Sequence, residues 1–235
     1  MTSISSIILF ASAGGFPIFI GGLLSAFIQH RKIPIKNELN HWLVALGGGA
    51  LLSAISFALI PRALESLKLI EMTSFFLLGT ISFMIIDQLL SNSGKSYSQV
   101  LSMMMDSIPE AIALGASFAH DHTLGILLAL FIGLQNFPEG FNSYNELNKQ
   151  LSKSKTLFVL FTMTFMDISA ALLGNAFLVN KAKIIASIMS VAAGGILYLI
   201  FQDIAPQSKQ KRKGFPATGA SLGFLLGLLG EQLIK

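Results

Sequence analysis

Two short stretches carry polar chemistry where the surrounding chain carries none. "MDSIPEAIALG" (105–115) sets Asp106, Ser107, Pro109 and Glu110 inside a long apolar run. "LQNFPEGFNSY" (134–144) sets Gln135, Asn136, Pro138 and Glu139 inside another. A further carboxylate, Asp167, opens "MDISAALLGNAF" (166–177). Carboxylate, amide and hydroxyl oxygens are the ligands of hard divalent cations. Asp106 and Glu110 are four residues apart, as are Gln135 and Glu139, so on helices each pair shares one face. Met103 falls on the Asp106 face one turn earlier. If the two helices run antiparallel through the short "AHDHT" connection (119–123), Asp106 is level with Glu139 and Glu110 with Gln135. The levels are then about 6 Å apart along the axis. Ser107 and Asn136 flank them, and Asp167 reaches a comparable depth from a third helix. Two stacked tiers of oxygens suit one or two divalent cations. The alternative is a set of protonated carboxyls hydrogen-bonded between helices.

The prolines bear on the same question. Pro109 and Pro138 each lack a backbone donor and crowd the carbonyl four residues back, at Met105 and Leu134. A carbonyl freed inside a membrane must find a partner, such as a cation or an ordered water. Broken helices at mid-membrane are typical of transport sites; an ordinary proline kink is the plainer reading. Beyond Glu139 the stripe continues through Asn142, Ser143, Asn145 and Glu146. It reads either as a wetted path or as a helix leaving the membrane. His120, Asp121 and His122 either recruit metal or form a solvated turn.

Composition sets the elements that must hold these residues. The chain has 235 residues, 53% hydrophobic and 12% charged, against a usual ~25% charged. Its mean hydropathy is +0.69. Such a chain cannot build the polar shell of a soluble domain, so the expected class is an all-α, polytopic membrane protein. Cysteine is absent, which excludes disulfides, thiolate metal sites and cysteine nucleophiles. A pI near 9.4 reflects basic loops rather than a nucleic-acid partner. The N-terminus "MTSISSIILFASAGG" lacks a positive leader and reads as the start of a retained first span.

Crossing the hydrocarbon core takes roughly 20 residues. The pattern predicts eight transmembrane helices, near 4–28, 42–62, 72–91, 98–118, 123–145, 156–179, 183–204 and 216–233. They form one transmembrane domain over 1–235. Glycines crowd spans 1 and 8 and the start of span 2, where small residues let membrane helices approach closely. Arg31, Lys32, Lys36, Lys95, Lys149, Lys153, Lys155, Lys209, Lys211, Arg212 and Lys213 fall on one side; Arg62, Lys68, Lys181, Lys183 and Lys235 fall on the other. The positive-inside rule therefore puts both termini outside. Asp106, Glu110, Glu139 and Asp167 would each cost roughly 2.5–3.5 kcal/mol if they faced lipid. They must face the bundle interior, water, a cation or one another.

These motifs resemble the ZIP (Zrt/Irt-like protein) family of divalent-metal transporters. The likeness rests on "DSIPEAIALG" and "QNFPEGF". It is supported by "MDISAALLGNAF" for span 6, "AAGGILYLIFQDIAPQ" for span 7 and "GGGALLSAISFALIPRAL" for span 2. The resemblance implies a ZIP-like bundle, a metal centre between spans 4, 5 and 6, frequent homodimers, and metal movement into the cytoplasm across the plasma or inner membrane. It also implies an elevator motion of spans 1, 4, 5 and 6 against 2, 3, 7 and 8. The metal set it implies is Asp106, Ser107, Glu110, Gln135, Asn136, Glu139 and Asp167. The chain departs from the family pattern where Asp106 and Gln135 replace histidines, and where Arg62 and Gln207 replace acids. A site without imidazole shifts weight from zinc toward manganese, iron or magnesium, with zinc still first on the resemblance. The expected function is therefore metal transport, with the metal as substrate rather than cofactor, and no enzyme activity. Two other readings compete. One is a non-transporting metal sensor or assembly protein of ZIP shape. The other is an intramembrane aspartyl protease using Asp106 and Asp167, which lacks the expected Gly-x-Gly-Asp.

Overall fold

The computed structural model describes residues 4–29, 36–91, 96–118, 121–209 and 214–234. All regular structure among them is helical. Helix α1 is Ile4–Gln29. Helix α2 begins as Lys36–Ala54, passes through a π-helical turn at Ile55–Leu59 and ends as Ile60–Ser66. Helices α3 (Leu69–Ser91), α4 (Ser96–Ser117), α5 (His122–Leu147) and α6 (Lys153–Leu178) follow. Helix α7 is Ala182–Leu199, then a π-helical turn at Ile200–Ile204 and a last segment Ala205–Ser208; α8 is Phe215–Ile234.

Seven of these, all but α4, are long and apolar enough to cross a membrane. The eighth expected span, α4, is 22 residues long but carries Asp106, Ser107 and Glu110, which lower its mean hydropathy. Its polar side is turned inward: all three are buried, while Leu101 is exposed. The whole bundle follows that inverted pattern. Ile70 is 80% exposed and Phe158 69%, whereas Glu110 and Asp167 are at 1% and 2%. A water-soluble fold buries the first kind and exposes the second; a bilayer reverses this. The chain is a multi-pass membrane protein.

Two sets of helices emerge from the packing. Helix α1 lies against α5 and α6, and α4 lies against α6 and α5. In the other set α2 pairs with α8, α3 pairs with α7, and the end of α2 reaches α7. The sets meet where α2 and α8 touch α5 and where α4 touches α7.

Within each set the helices approach until backbones touch, and glycines permit it. A Cβ on Gly140 would lie 1.9 Å from the Ile18 carbonyl oxygen, and one on Gly21 2.0 Å from that of Phe137. The same reciprocity joins Gly115 and Gly174 (α4 and α6), Gly49 and Gly223 (α2 and α8), and Gly79 and Gly194 (α3 and α7). Dispersion and backbone contact replace the hydrophobic effect as the source of association in lipid. Gly140→Ala must push α1 and α5 apart. It is expected to destabilise the protein by about 2–3 kcal/mol, read as a lowered Tm in detergent. Gly133→Ala, whose Cβ would meet nothing nearer than 3.2 Å, is expected to shift Tm less.

The π-helical turns have a local cause. Pro61 and Pro206 each follow one, near the start of the next α-helical segment. A proline cannot donate to the carbonyl four residues back and clashes with it. The wider π turn absorbs that clash without breaking the helix.

The largest apolar cluster includes Ile7, Leu51, Ile55, Leu59, Leu114, Phe118, Leu128, Phe131 and Ile132. It seals the end of the bundle where α2 and α4 finish and α5 begins.

Candidate metal centre

Helices α4, α5 and α6 bring the predicted site residues together. The four-residue spacing places Asp106 and Glu110 on the α4 face toward α5, and Gln135 and Glu139 on the α5 face toward α4. Asp106, Ser107, Glu110, Gln135, Asn136 and Asp167 are buried, and Glu139 is half-buried. Glu110 and Gln135, expected at one level, are hydrogen-bonded: the Gln135 amide nitrogen donates to Glu110 Oε2. Asn136 Nδ2 donates to the Gly14 carbonyl at 2.9 Å and, more weakly, to Asp167 Oδ2 at 3.4 Å. Gly15 makes the room: a Cβ there would lie 3.1 Å from Asp167 Oδ2. The Gly14–Gly15 pair of α1 thus serves the site as well as the packing.

These bonds orient the amides. With both NH2 groups occupied, the amide oxygens have no donor to meet. Glu110 Oε1, Gln135 Oε1, Asn136 Oδ1, Asp167 Oδ1 and Ser107 Oγ are buried without a hydrogen-bond partner among the described residues. Buried polar atoms are normally satisfied. Five oxygens left over in one place match the lone pairs that a hard cation needs. The carboxyls of Asp106, Glu110, Glu139 and Asp167 also lie close enough to repel one another when charged, and a cation removes that repulsion. No three His, Asp or Glu side chains among the described residues converge tightly enough to hold an ion by themselves. The amide oxygens of Gln135 and Asn136 are the further oxygens that could join such carboxylates around an ion.

A cavity of about 100 Å³ leads to this centre from the end opposite the apolar seal. Asp106, Gln135 and Glu139 line it. Glu110, Asn136, Ser107 and Asp167 are not among its lining residues.

Sequence reasoning missed one acid on this path. Asp203, in the π turn of α7, lines the same cavity, with Asn142 and Gln207 also on its wall. The signal was weak: an acid three residues before Pro206, with no spacing to show that the π turn faces it inward. Further toward the open end the polar contacts continue. Asn142 Nδ2 donates to Gln207 Oε1 at 3.1 Å, and Asn145 Nδ2 to Asn40 Oδ1 at 3.2 Å. His41 Nδ1 lies 2.6 Å from the Gln207 carbonyl.

The structure bears on three readings left open by the sequence. Neither α4 nor α5 is broken at its proline; both run through Pro109 and Pro138 as continuous helix. A proline still lacks the N–H for the carbonyl four residues back, so the Met105 and Leu134 carbonyls remain without that helical donor. Glu146 is exposed and pairs with Lys149 at 2.8 Å, in keeping with a helix leaving the membrane at this end. In the loop between α4 and α5, His120 lies outside the described residues. Asp121 caps α5 by accepting from Leu124 N at 2.9 Å, and the His122 ring packs edge-on against Phe118. Asp121 and His122 are thus structurally engaged.

No protein-family model matches the chain. It is 33% identical over 135 residues to a curated protein, the zinc transporter GufA of Myxococcus xanthus, a match covering 55% of this chain and 52% of that protein. The chain thus spans about half the length of the curated relative it matches, and within that span it is similar to a zinc transporter.

Proposed function

We propose that this protein is a divalent-metal transporter of ZIP type that carries a cation through the membrane at the α4–α5–α6 centre. The observation that carries the reading is the group of donorless oxygens at Ser107, Glu110, Gln135, Asn136 and Asp167, next to a cavity lined by Asp106 and Glu139. The similarity to a protein named as a zinc transporter supports the cargo class. The metal is cargo, not a cofactor, and no chemical step is catalysed. With both termini outside, the cavity faces the cytoplasm and the apolar seal faces out, which is the posture of a carrier releasing metal inward. Relative motion of the two helix sets would move the centre between the two sides. The backbone contacts within each set suit rigid-body movement. The zinc, manganese, iron and magnesium preference, and assembly as a homodimer, belong to the same proposal.

The test is uptake by proteoliposomes of purified protein, offered zinc and manganese in turn. Saturable flux supports transport. Binding without flux would replace it with a metal sensor or assembly protein of the same shape.

Cation binding requires the charged carboxylates. Four such charges cannot stand together in a dry site without a counter-ion, so metal enters in exchange for protons. Affinity is expected to fall as pH drops from about 7 to about 5. Calorimetry at pH 6 in two buffers of different ionisation enthalpy counts the protons released. A count of zero would contradict the clustered-carboxylate site.

A further inference from the structure

We propose that Arg62 and Asp121 form an ion-pair latch that holds the sealed end of the bundle shut while the metal cavity is open at the other end. The inference rests on the transport reading, in which the two helix sets move against each other.

Arg62 stands in the last segment of α2, in one set. Asp121 caps α5, in the other. Arg62 Nη2 and Asp121 Oδ2 are 3.0 Å apart, with side chains only 29% and 32% exposed. Both partners are held in place. Glu65, one turn along α2, binds the guanidinium through Nη1. The second Asp121 oxygen accepts from Leu124 N, so the carboxylate is fixed at the positive end of α5. Planar guanidinium in this clamp loses little further freedom on pairing.

The other ion pairs between described residues do not cross the boundary. Lys149–Glu146 lies at the C-terminal end of α5, and Lys183–Glu71 joins α7 to α3 within one set. The reciprocal glycine contacts described above are also internal to a set. Across the boundary, a Cβ on Gly47 or Gly230 would first meet side-chain atoms of Pro138 and Leu130, and the nearest backbone atom to Gly47 is the Gln135 carbonyl oxygen at 3.9 Å. Among the described residues Arg62–Asp121 is thus the ion pair that crosses the boundary, at the sealed end; at the open end the crossing contacts are the amide hydrogen bonds Asn142–Gln207 and Asn145–Asn40. A cavity of about 430 Å³ lined by Arg62, Glu65, Ser117 and Asn180 lies at this end. Behind Arg62 the path to the metal centre is closed by packed apolar side chains.

The absence of cysteine makes a direct readout available. Ala58, in the π turn of α2, is 1% exposed inside the apolar seal. In the single-cysteine protein Ala58→Cys, a membrane-impermeant maleimide applied from the side of the α4–α5 loop labels only when that end opens. Arg62→Gln and Asp121→Asn are each expected to raise the labelling rate about threefold, the population shift of one half-exposed ion pair. Asparagine still caps a helix, so the second variant removes charge and little else. The double variant is expected to add nothing beyond either single one. Glu65→Gln, which frees only one side of the guanidinium, is expected to raise the rate less than either single variant. Unchanged labelling in Arg62→Gln and Asp121→Asn overturns the latch, whatever the metal flux. Raised labelling in a protein that moves no metal keeps the latch and removes the transport reading.

Discussion

Glu139→Ala and Glu110→Ala are each expected to abolish metal flux, by about 100-fold or more, while the protein still inserts and packs. The two act from different places. Glu139 is half-buried on the cavity wall, where an arriving cation meets it beside Asp106 and Gln135. Glu110 is 1% exposed. One of its oxygens holds the Gln135 amide and the other is unpartnered. Removing Glu110 therefore deletes a proposed ligand and also releases Gln135, whose amide it holds. Each carboxylate would be one partner of a buried ion pair with the cation, and removing one such partner costs about 3–5 kcal/mol, each 1.4 kcal/mol being tenfold. The measurement is initial uptake of zinc and of manganese in proteoliposomes, normalised to protein that elutes as the parent does. Near-parental uptake by both variants would sink the centre. Loss in Glu139→Ala alone would restrict it to the cavity tier.

Asp106→His is expected to raise zinc flux relative to manganese by about tenfold. Every oxygen of the present centre is hard, and the described residues place no imidazole or thiolate in it. Such a set separates divalent first-row metals poorly, and an imidazole favours zinc. Asp106 is the position to change because it lines the cavity and its carboxylate makes only a local bond. Its Oδ1 accepts from Ser107 N at 2.9 Å, so replacement does not dismantle the Gln135 and Asn136 network. Competition uptake with both metals present reads the ratio directly. An unchanged ratio would mean that Asp106 does not touch the ion. Total loss of both fluxes, with Glu139→Asp still active, would mean that its charge rather than its ligand type is required.

Much of this protein was legible in its sequence. Composition alone forces the membrane class, because 12% charged residues cannot coat a soluble domain. The four-residue spacings of Asp106 with Glu110 and of Gln135 with Glu139 follow from helix geometry. So does their facing one another, since a short connection between two spans leaves them antiparallel. The pairing of Arg62 with Glu65 is equally local. Each of these depends on periodicity along one helix, which the sequence states directly.

What needed the tertiary structure depends on the rotation and depth of one helix against another. Nothing local says that Asn136 spends its NH2 on the Gly14 carbonyl, 122 positions away, and so leaves its oxygen free. Nothing local brings Asp203 to the cavity, because the π turn before Pro206 changes which face of α7 looks inward. The Arg62–Asp121 pair spans 59 positions and exists only because α2 ends beside the start of α5. The unbroken helices at Pro109 and Pro138 belong here too: propensity disfavours them, yet each helix continues through its proline inside the packed bundle. Periodicity fixes which side of its own helix a residue occupies; only the packed bundle fixes what that side meets.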